Sequence, residues 1–66
     1  MADIIIYDHG SLIGFHPVSD LARDWINDNT ASEAWQWMGP VLYIEHRLAY
    51  TLATALVAEG LELKHG

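Results

Sequence analysis

The chain has 66 residues, of which 52% are hydrophobic, and nine Asp and Glu residues outnumber three Lys and Arg residues to give a net charge of −6. This length predicts a single domain, residues 1–66, because a chain of this size buries only about 60% of its unfolded surface. The absence of cysteine excludes disulfides and thiolate metal sites. The negative charge disfavours direct contact with nucleic acid or an anionic membrane and favours a basic protein partner, although a need for solubility also explains it.

No basic segment followed by an apolar stretch stands near the start of the chain, so no secretion signal is expected. The longest strongly apolar stretch, residues 48–57, is shorter than the roughly 20 residues that a transmembrane helix needs. The sequence therefore predicts a protein of the cytoplasm, in a bacterial host, without membrane contact.

Two apolar runs at the start of the chain, residues 3–8 and 12–15, predict a β-hairpin. The turn chemistry lies at residues 8–11, around Gly10. Both runs are apolar at consecutive positions, which is typical of strands that lie centrally in a sheet or are partly covered on both faces.

A first helix is predicted to begin after Ser19, whose hydroxyl suits the N-cap position, and to close at residues 27–29. Asp20 follows in the first turn, where the helix dipole favours a carboxylate. Four apolar residues at helical spacing predict the buried stripe. They are Leu21, Ala22, Trp25 and Ile26.

Thr30 and Glu33 form a capping-box pattern that predicts one helical turn. A turn over residues 37–40, a strand over 41–45 and a helix over 46–59 follow. Gly60 ends that helix, residues 61–63 form an edge strand, and residues 64–66 fray. The second helix's predicted buried stripe is Leu48, Leu52, Ala55 and Leu56. The order ββαβαβ predicts an α+β fold: a small, mostly antiparallel sheet with two helices packed on one face.

A catalytic site is not expected. The chain has no nucleophile-elbow or phosphate-loop spacing, and Asp8, His9 and Ser11 crowd one tight turn where they do not form a triad. His9 and His16 stand at opposite ends of the second strand, about 15 Å apart, so they do not share an ion. Ordinary backbone hydrogen bonds are favoured over metal binding for the histidines, and no cofactor is expected.

Three aspartates, Asp20, Asp24 and Asp28, recur every four residues in the first predicted helix. Residues at this spacing share a helix face, so the carboxylates repeat about every 6 Å along the axis. Such a row repels itself by about 0.2–0.5 kcal/mol per pair. The sequence predicts that this row, with Glu33 and Asp8, binds a partner; a solvated helix face is the alternative.

Trp35 and Trp37 carry the second candidate surface, because tryptophan is enriched at the centres of protein interfaces. A small domain also needs large side chains to fill its core, so core packing is favoured over partner contact for these two residues. The sequence leaves open whether the acidic row or the Trp35/Trp37 region forms the interface. The alternative function is thus a self-associating module with an aromatic surface.

Several segments occur together along most of the chain. They are Asp8-His9-Gly10, Ala22-x-x-Trp25-Ile26-x-x-Asn29, Trp37 with Gly39, Tyr43-Ile44-Glu45-His46-Arg47 and Glu59-Gly60-Leu61. Together they resemble a group of very small acidic proteins of phages, plasmids and other mobile elements. Acidic proteins of this size from such elements also resemble anti-CRISPR proteins, particularly inhibitors of type I systems.

That resemblance implies binding to the basic, DNA-receiving surface of a CRISPR interference complex and a block of target recognition. It carries over no binding residue. The expected function is therefore that of a non-enzymatic inhibitor, a monomer or weak homodimer, with an acidic surface for a basic, nucleic-acid-binding protein.

Overall fold

The structure is a computed structural model that describes residues 2–29 and 37–66. In chain order, its elements are β1 (Ile4–Asp8), β2 (Leu12–Pro17), α1 (Asp20–Asn29), β3 (Trp37–Met38), β4 (Val41–Glu45), α2 (His46–Ala58) and β5 (Leu63–His65). The α+β class, the mostly antiparallel sheet and the two helices are confirmed. The short strand β3 is an addition to the expected order, and the predicted turn at Thr30 and Glu33 lies outside the described residues.

The five strands form one sheet in the order β3-β4-β2-β1-β5, with β5 parallel to β1 and every other pair antiparallel. The two consecutive apolar runs, β1 and β2, occupy central positions, as their composition predicts. Within the described parts of the chain, neither helix combines the length and apolar character that a membrane crossing demands.

The strand register divides the side chains between two faces of the sheet, because alternate residues of a strand point to opposite sides. Opposite partners such as Ile6 and Phe15, or Phe15 and Leu42, lie on one face. Tyr7, Gly14 and Tyr43 are also opposite one another, and they lie on the other face.

The hydrophobic core lies on the first of these faces, between the sheet and both helices. Ala22 and Ile26 of α1 and Ala49 and Leu56 of α2 belong to the same buried cluster as Phe15. Because both helices contribute to one cluster, they pack on one face of the sheet, as the sequence predicts.

Residues 37–40 are a β-hairpin rather than an isolated turn. Trp37 pairs with Leu42 and Met38 with Val41, on either side of a two-residue connection. Gly39 has a φ of 62°, a left-handed conformation that glycine adopts without strain. The sequence predicted the turn and the strand β4 that follows it, but not the two-residue strand β3 that precedes it.

The end of α2 fixes the last strand. Gly60 donates to the carbonyl of Val57 and Leu61 donates to that of Leu56, a Schellman arrangement that turns the chain and buries Leu61 against the core. The expected strand therefore begins two residues later, at Leu63. The prediction that residues 64–66 fray is wrong, since the N–H of Gly66 also bonds to the carbonyl of Ile6 at 2.9 Å.

Two leucines predicted to be buried are exposed. Leu21 is 68% exposed and Leu48 is 59% exposed, because each lies one position away from the stripe that faces the sheet. In α2 that stripe contains Ala49, Leu52 and Leu56. Small alanine side chains at helix positions facing the sheet let the helix lie close to the strands, which the hydrophobicity pattern alone did not indicate.

Candidate partner-binding surface

Two sets of hydrogen bonds hold the start of α1 in place, one within its first turn and one to the residue that precedes β1. The N–H of Ala22 donates to Oγ of Ser19 at 3.1 Å, so Ser19 caps the helix as predicted. The N–H groups of Val18 and Ser19 donate to the carbonyl of Asp3, which ties the helix start to β1. The direction of α1 relative to the sheet is therefore set by backbone contacts.

The buried side of α1 fixes which side meets solvent. Ala22 and Ile26 are fully buried and Trp25 is half-buried against the core. Asp20, Asp24 and Asp28 are all exposed. The three carboxylates therefore form a row on the outer side of α1, about 12 Å long from the helical rise, which we call the acidic row.

One member of the acidic row is partly neutralised. Nη1 of Arg23 lies 3.0 Å from Oδ1 of Asp20, an exposed pair that contributes little to stability. Within the described chain, neither Asp24 nor Asp28 has an ion-pair partner. These two carboxylates therefore supply the uncompensated charge of the row.

Asp28 occupies a position that α1 itself does not favour. The first turn of α1 contains Asp20, where the dipole welcomes a negative charge, and the last turn contains no basic residue. A carboxylate in the last turn meets the negative end of the helix dipole, which costs about 0.3–1 kcal/mol. The third carboxylate of the row therefore destabilises α1.

The other two acids predicted for this surface, Asp8 and Glu33, stand outside α1 in the sequence. Asp8 is the last residue of β1, and its Oδ1 accepts a hydrogen bond from the N–H of Gly10 at 2.8 Å. Asp3, which the start of α1 contacts, lies at the opposite end of β1 from Asp8. Glu33 lies outside the described residues.

Both tryptophans that the structure describes pack against the core. Trp25 and Trp37 are half-buried and contact the buried cluster. Trp37 lies opposite Leu42, on the helix-covered face of the sheet. Trp35, the other half of the predicted aromatic surface, is outside the described residues.

No metal site is found among residues 2–29 and 37–66, where no three His, Asp or Glu side chains converge. The ring of His9 lies 5.5 Å from the ring of Tyr43, tilted by 56°. The N–H of His46 donates to the carbonyl of Ser11. These are packing and backbone contacts.

An open groove of about 230 Å³ lies between α2 and strands β1 and β2. Its walls are almost entirely apolar, with His46 and Tyr50 as the polar side chains. Its lining residues are Ile6, Ile13, Phe15, His46, Ala49, Tyr50 and Ala53.

The fold changes the titration of Asp3. Its Oδ2 accepts a hydrogen bond from the N–H of Glu62 at 2.9 Å, and together with the Ser19 hydroxyl this lowers the pKa of Asp3 below 3.8. Asp3 joins the loops before α1 and β5, so this shift has a structural cause.

A second surface was not expected from the sequence. The sheet face opposite the helices carries half-buried Ile5, Tyr7, Val41 and Tyr43, and neither α1 nor α2 covers it. The period-2 signal that defines such a face was hidden because β1 and β2 are apolar at consecutive positions.

Comparison of the chain with protein-family models, with curated proteins and with solved structures finds no match. The resemblance to small mobile-element proteins therefore stays a prediction from the sequence.

Proposed function

We propose that this protein is a non-enzymatic inhibitor that uses the acidic row to bind the basic surface of a nucleic-acid-binding protein. The observation that carries the proposal is the position of Asp24 and Asp28, which are exposed and have no ion-pair partner within the described chain. A field of this sign attracts basic surfaces and accelerates their association. The interaction takes place in the cytoplasm of a bacterial host.

The partner that fits this chemistry is a protein whose basic surface receives DNA. Duplex DNA carries one charge per about 1.7 Å, whereas the row carries one carboxylate per about 6 Å. The row is therefore too sparse to copy DNA by itself, and Glu33 and Asp8 are the acids proposed to supplement it. Following the resemblance stated above, the candidate partner is a type I CRISPR interference complex, whose target recognition the protein would block.

Charge reversal within the row tests the proposal. Purified type I interference complex is mixed with target duplex DNA and increasing amounts of the protein, and bound DNA is measured by gel shift. Asp24→Lys combined with Asp28→Lys is expected to raise the inhibitory concentration at least tenfold, because two attractive charges become repulsive. Raising the salt concentration should weaken inhibition by the unaltered protein.

Two matched substitutions distinguish the effect of a charge's position in the row from the effect of net charge. Asp24→Lys and Glu59→Lys each change the net charge by +2, but Glu59 lies at the far end of α2, outside the row. Asp24→Lys should weaken inhibition and Glu59→Lys should leave it nearly unchanged. Equal effects of the two substitutions, or undiminished inhibition by the double variant, would overturn the acidic-row mechanism.

A further inference from the structure

The sheet face that neither helix covers, called the open face below, is broad and apolar. Strands β1, β2 and β4 each place alternate side chains there. The strand register identifies these side chains, because directly paired residues lie on the same face. Met38 and Leu12 are the most exposed, at 66% and 43%. The apolar and aromatic members are Ile5, Tyr7, Leu12, Met38, Val41 and Tyr43.

Gly14 makes the centre of the open face flat. A Cβ at this position would lie 3.0 Å from Cγ1 of Val41 and 3.1 Å from Cε1 of Tyr43, so these side chains lie across the glycine backbone. The ring of His9 then meets Tyr43 at 5.5 Å. Side chains that lie down on a strand form an even layer, which suits packing against a second sheet about 10 Å away.

The open face is also nearly free of net charge. Besides His16, which lies opposite Ile5, the strands place one acidic and one basic side chain on it, Glu45 and Lys64, whereas the whole chain carries −6. Among the described residues, the other acidic side chains lie elsewhere, on α1, in the turns and near the end of α2. A second copy of this chain, which carries the same −6, meets the least repulsion if it approaches this face.

We propose that the open face is the interface of a homodimer in which two copies pack sheet against sheet. Glu45 of β4 lies opposite Leu12, and Lys64 of β5 lies opposite Ile5. The two charges therefore occupy diagonally opposite corners of the open face. They are separated by three strand spacings, about 14 Å, and by four residues along the strands, about 13 Å.

The diagonal placement defines one symmetric arrangement. A twofold axis that lies in the interface, perpendicular to the line from Glu45 to Lys64, sets each Glu45 over the Lys64 of the second copy. With nearly equal separations across and along the strands, the strands of the two copies then cross at roughly 90°, the orthogonal class of sheet packing. Glu45 also pairs within its own chain, since its Oε1 lies 3.0 Å from Nη2 of Arg47. Exposed ion pairs contribute little free energy, so the corner charges set the orientation of the dimer and the apolar residues supply its affinity.

The size of the open face predicts a weak dimer. Five strands span about 19 Å, and strands of five to six residues span about 17 Å. Such a plate is smaller than the roughly 800 Å² per partner of a standard stable interface, so a Kd in the range of about 10–500 µM is expected. In this dimer the helices, and with them the two acidic rows, face outward on opposite sides.

Sedimentation equilibrium between about 10 µM and 1 mM protein tests the proposal. The weight-average mass is expected to rise from 7.4 kDa towards twice that value. Association should strengthen at about 0.5 M salt, because screening reduces the repulsion between two chains of charge −6. This salt response is opposite to that of the proposed inhibitor contact, so the two proposals fail independently. A chain that stays monomeric at 1 mM overturns the homodimer.

Matched substitutions locate the interface. Leu12→Glu and Met38→Glu alter exposed positions of the open face, so the fold should tolerate them and the Kd should rise at least tenfold. Leu21→Glu and Leu48→Glu make the same change at exposed positions of α1 and α2, where it should leave dimerisation unchanged. Circular dichroism verifies folding of each variant. Dimerisation that survives both open-face substitutions, or that is lost with Leu48→Glu instead, overturns the proposal.

A charge swap tests the orientation. Lys64→Glu should weaken the dimer severalfold, and the combination with Glu45→Lys should restore it, because the two corners then exchange signs. Failure of the second substitution to restore any affinity rejects the twofold arrangement.

Discussion

The outer side of α1 and the open sheet face differ in the physical basis of their surface chemistry. The outer side of α1 is polar and carries three carboxylates on one helix, whereas the open face is apolar and is assembled from five strands. In the proposed inhibitor contact, the first surface attracts a basic partner through charge, so salt should weaken that contact. In the proposed dimer, the second surface excludes water, and salt should favour association because the rest of each chain repels its copy. One small domain can therefore present two surfaces that do not compete for the same partner.

The two faces of the sheet should differ most in what they contribute to stability. Phe15 is fully buried between the sheet and the helices, and Phe15→Ala is expected to cost about 3–5 kcal/mol. Total stability for this length is roughly 3–10 kcal/mol, so that variant should lose about a third of its stability or more. Tyr43→Ala on the open face should cost about 1 kcal/mol.

Urea denaturation at low protein concentration, where dimerisation is negligible, measures both variants. Equal losses for Phe15→Ala and Tyr43→Ala would show that the open face is covered as thoroughly as the core face, and the comparison would fail.

The acidic row gives a smaller and oppositely signed pair of effects. Asp28→Lys should stabilise the protein by about 0.5 kcal/mol, because it places a positive charge in the last turn of α1 and relieves repulsion from Asp24. Asp20→Lys should destabilise it by a similar amount, because it reverses a favourable first-turn charge and removes the pair with Arg23. Thermal midpoints at low salt provide the measurement. Shifts of the same sign would mean that the helix dipole does not govern these positions.

The smallest expected effect concerns Asp3, which supports neither surface directly. Its pKa is lowered in the folded state, chiefly by the hydrogen bond from the N–H of Glu62, so its charged form stabilises the fold above pH 3.8. This contribution is lost as the pH falls through the lowered folded-state pKa. Asp3→Asn should therefore be less stable than the unaltered protein at pH 7, and the difference should vanish at the acidic end. An NMR titration of the Asp3 carboxyl that shows an ordinary pKa would contradict this account.

The sequence predicted most elements of the fold because their signals are local. Ser19 caps α1, Gly10 lies in the hairpin turn and Gly60 ends α2, each through a short-range backbone requirement. The strand β3 could not be predicted, since a two-residue strand exists only through its pairing with β4. The exposure of Leu21 and Leu48 was also missed, because it depends on how each helix is rotated against the sheet.

The sequence by itself determined the acidic row, because its i, i+4 spacing and its flanking apolar stripe are properties of one helix. It also determined the fold class and the net charge of −6. Only the tertiary structure decided that Trp37 packs against the core and that Glu45 and Lys64 mark opposite corners of one apolar face. Those features depend on the order and register of five strands, and strand pairing joins residues as far apart as Ile4 and Leu63, whose proximity no local pattern encodes.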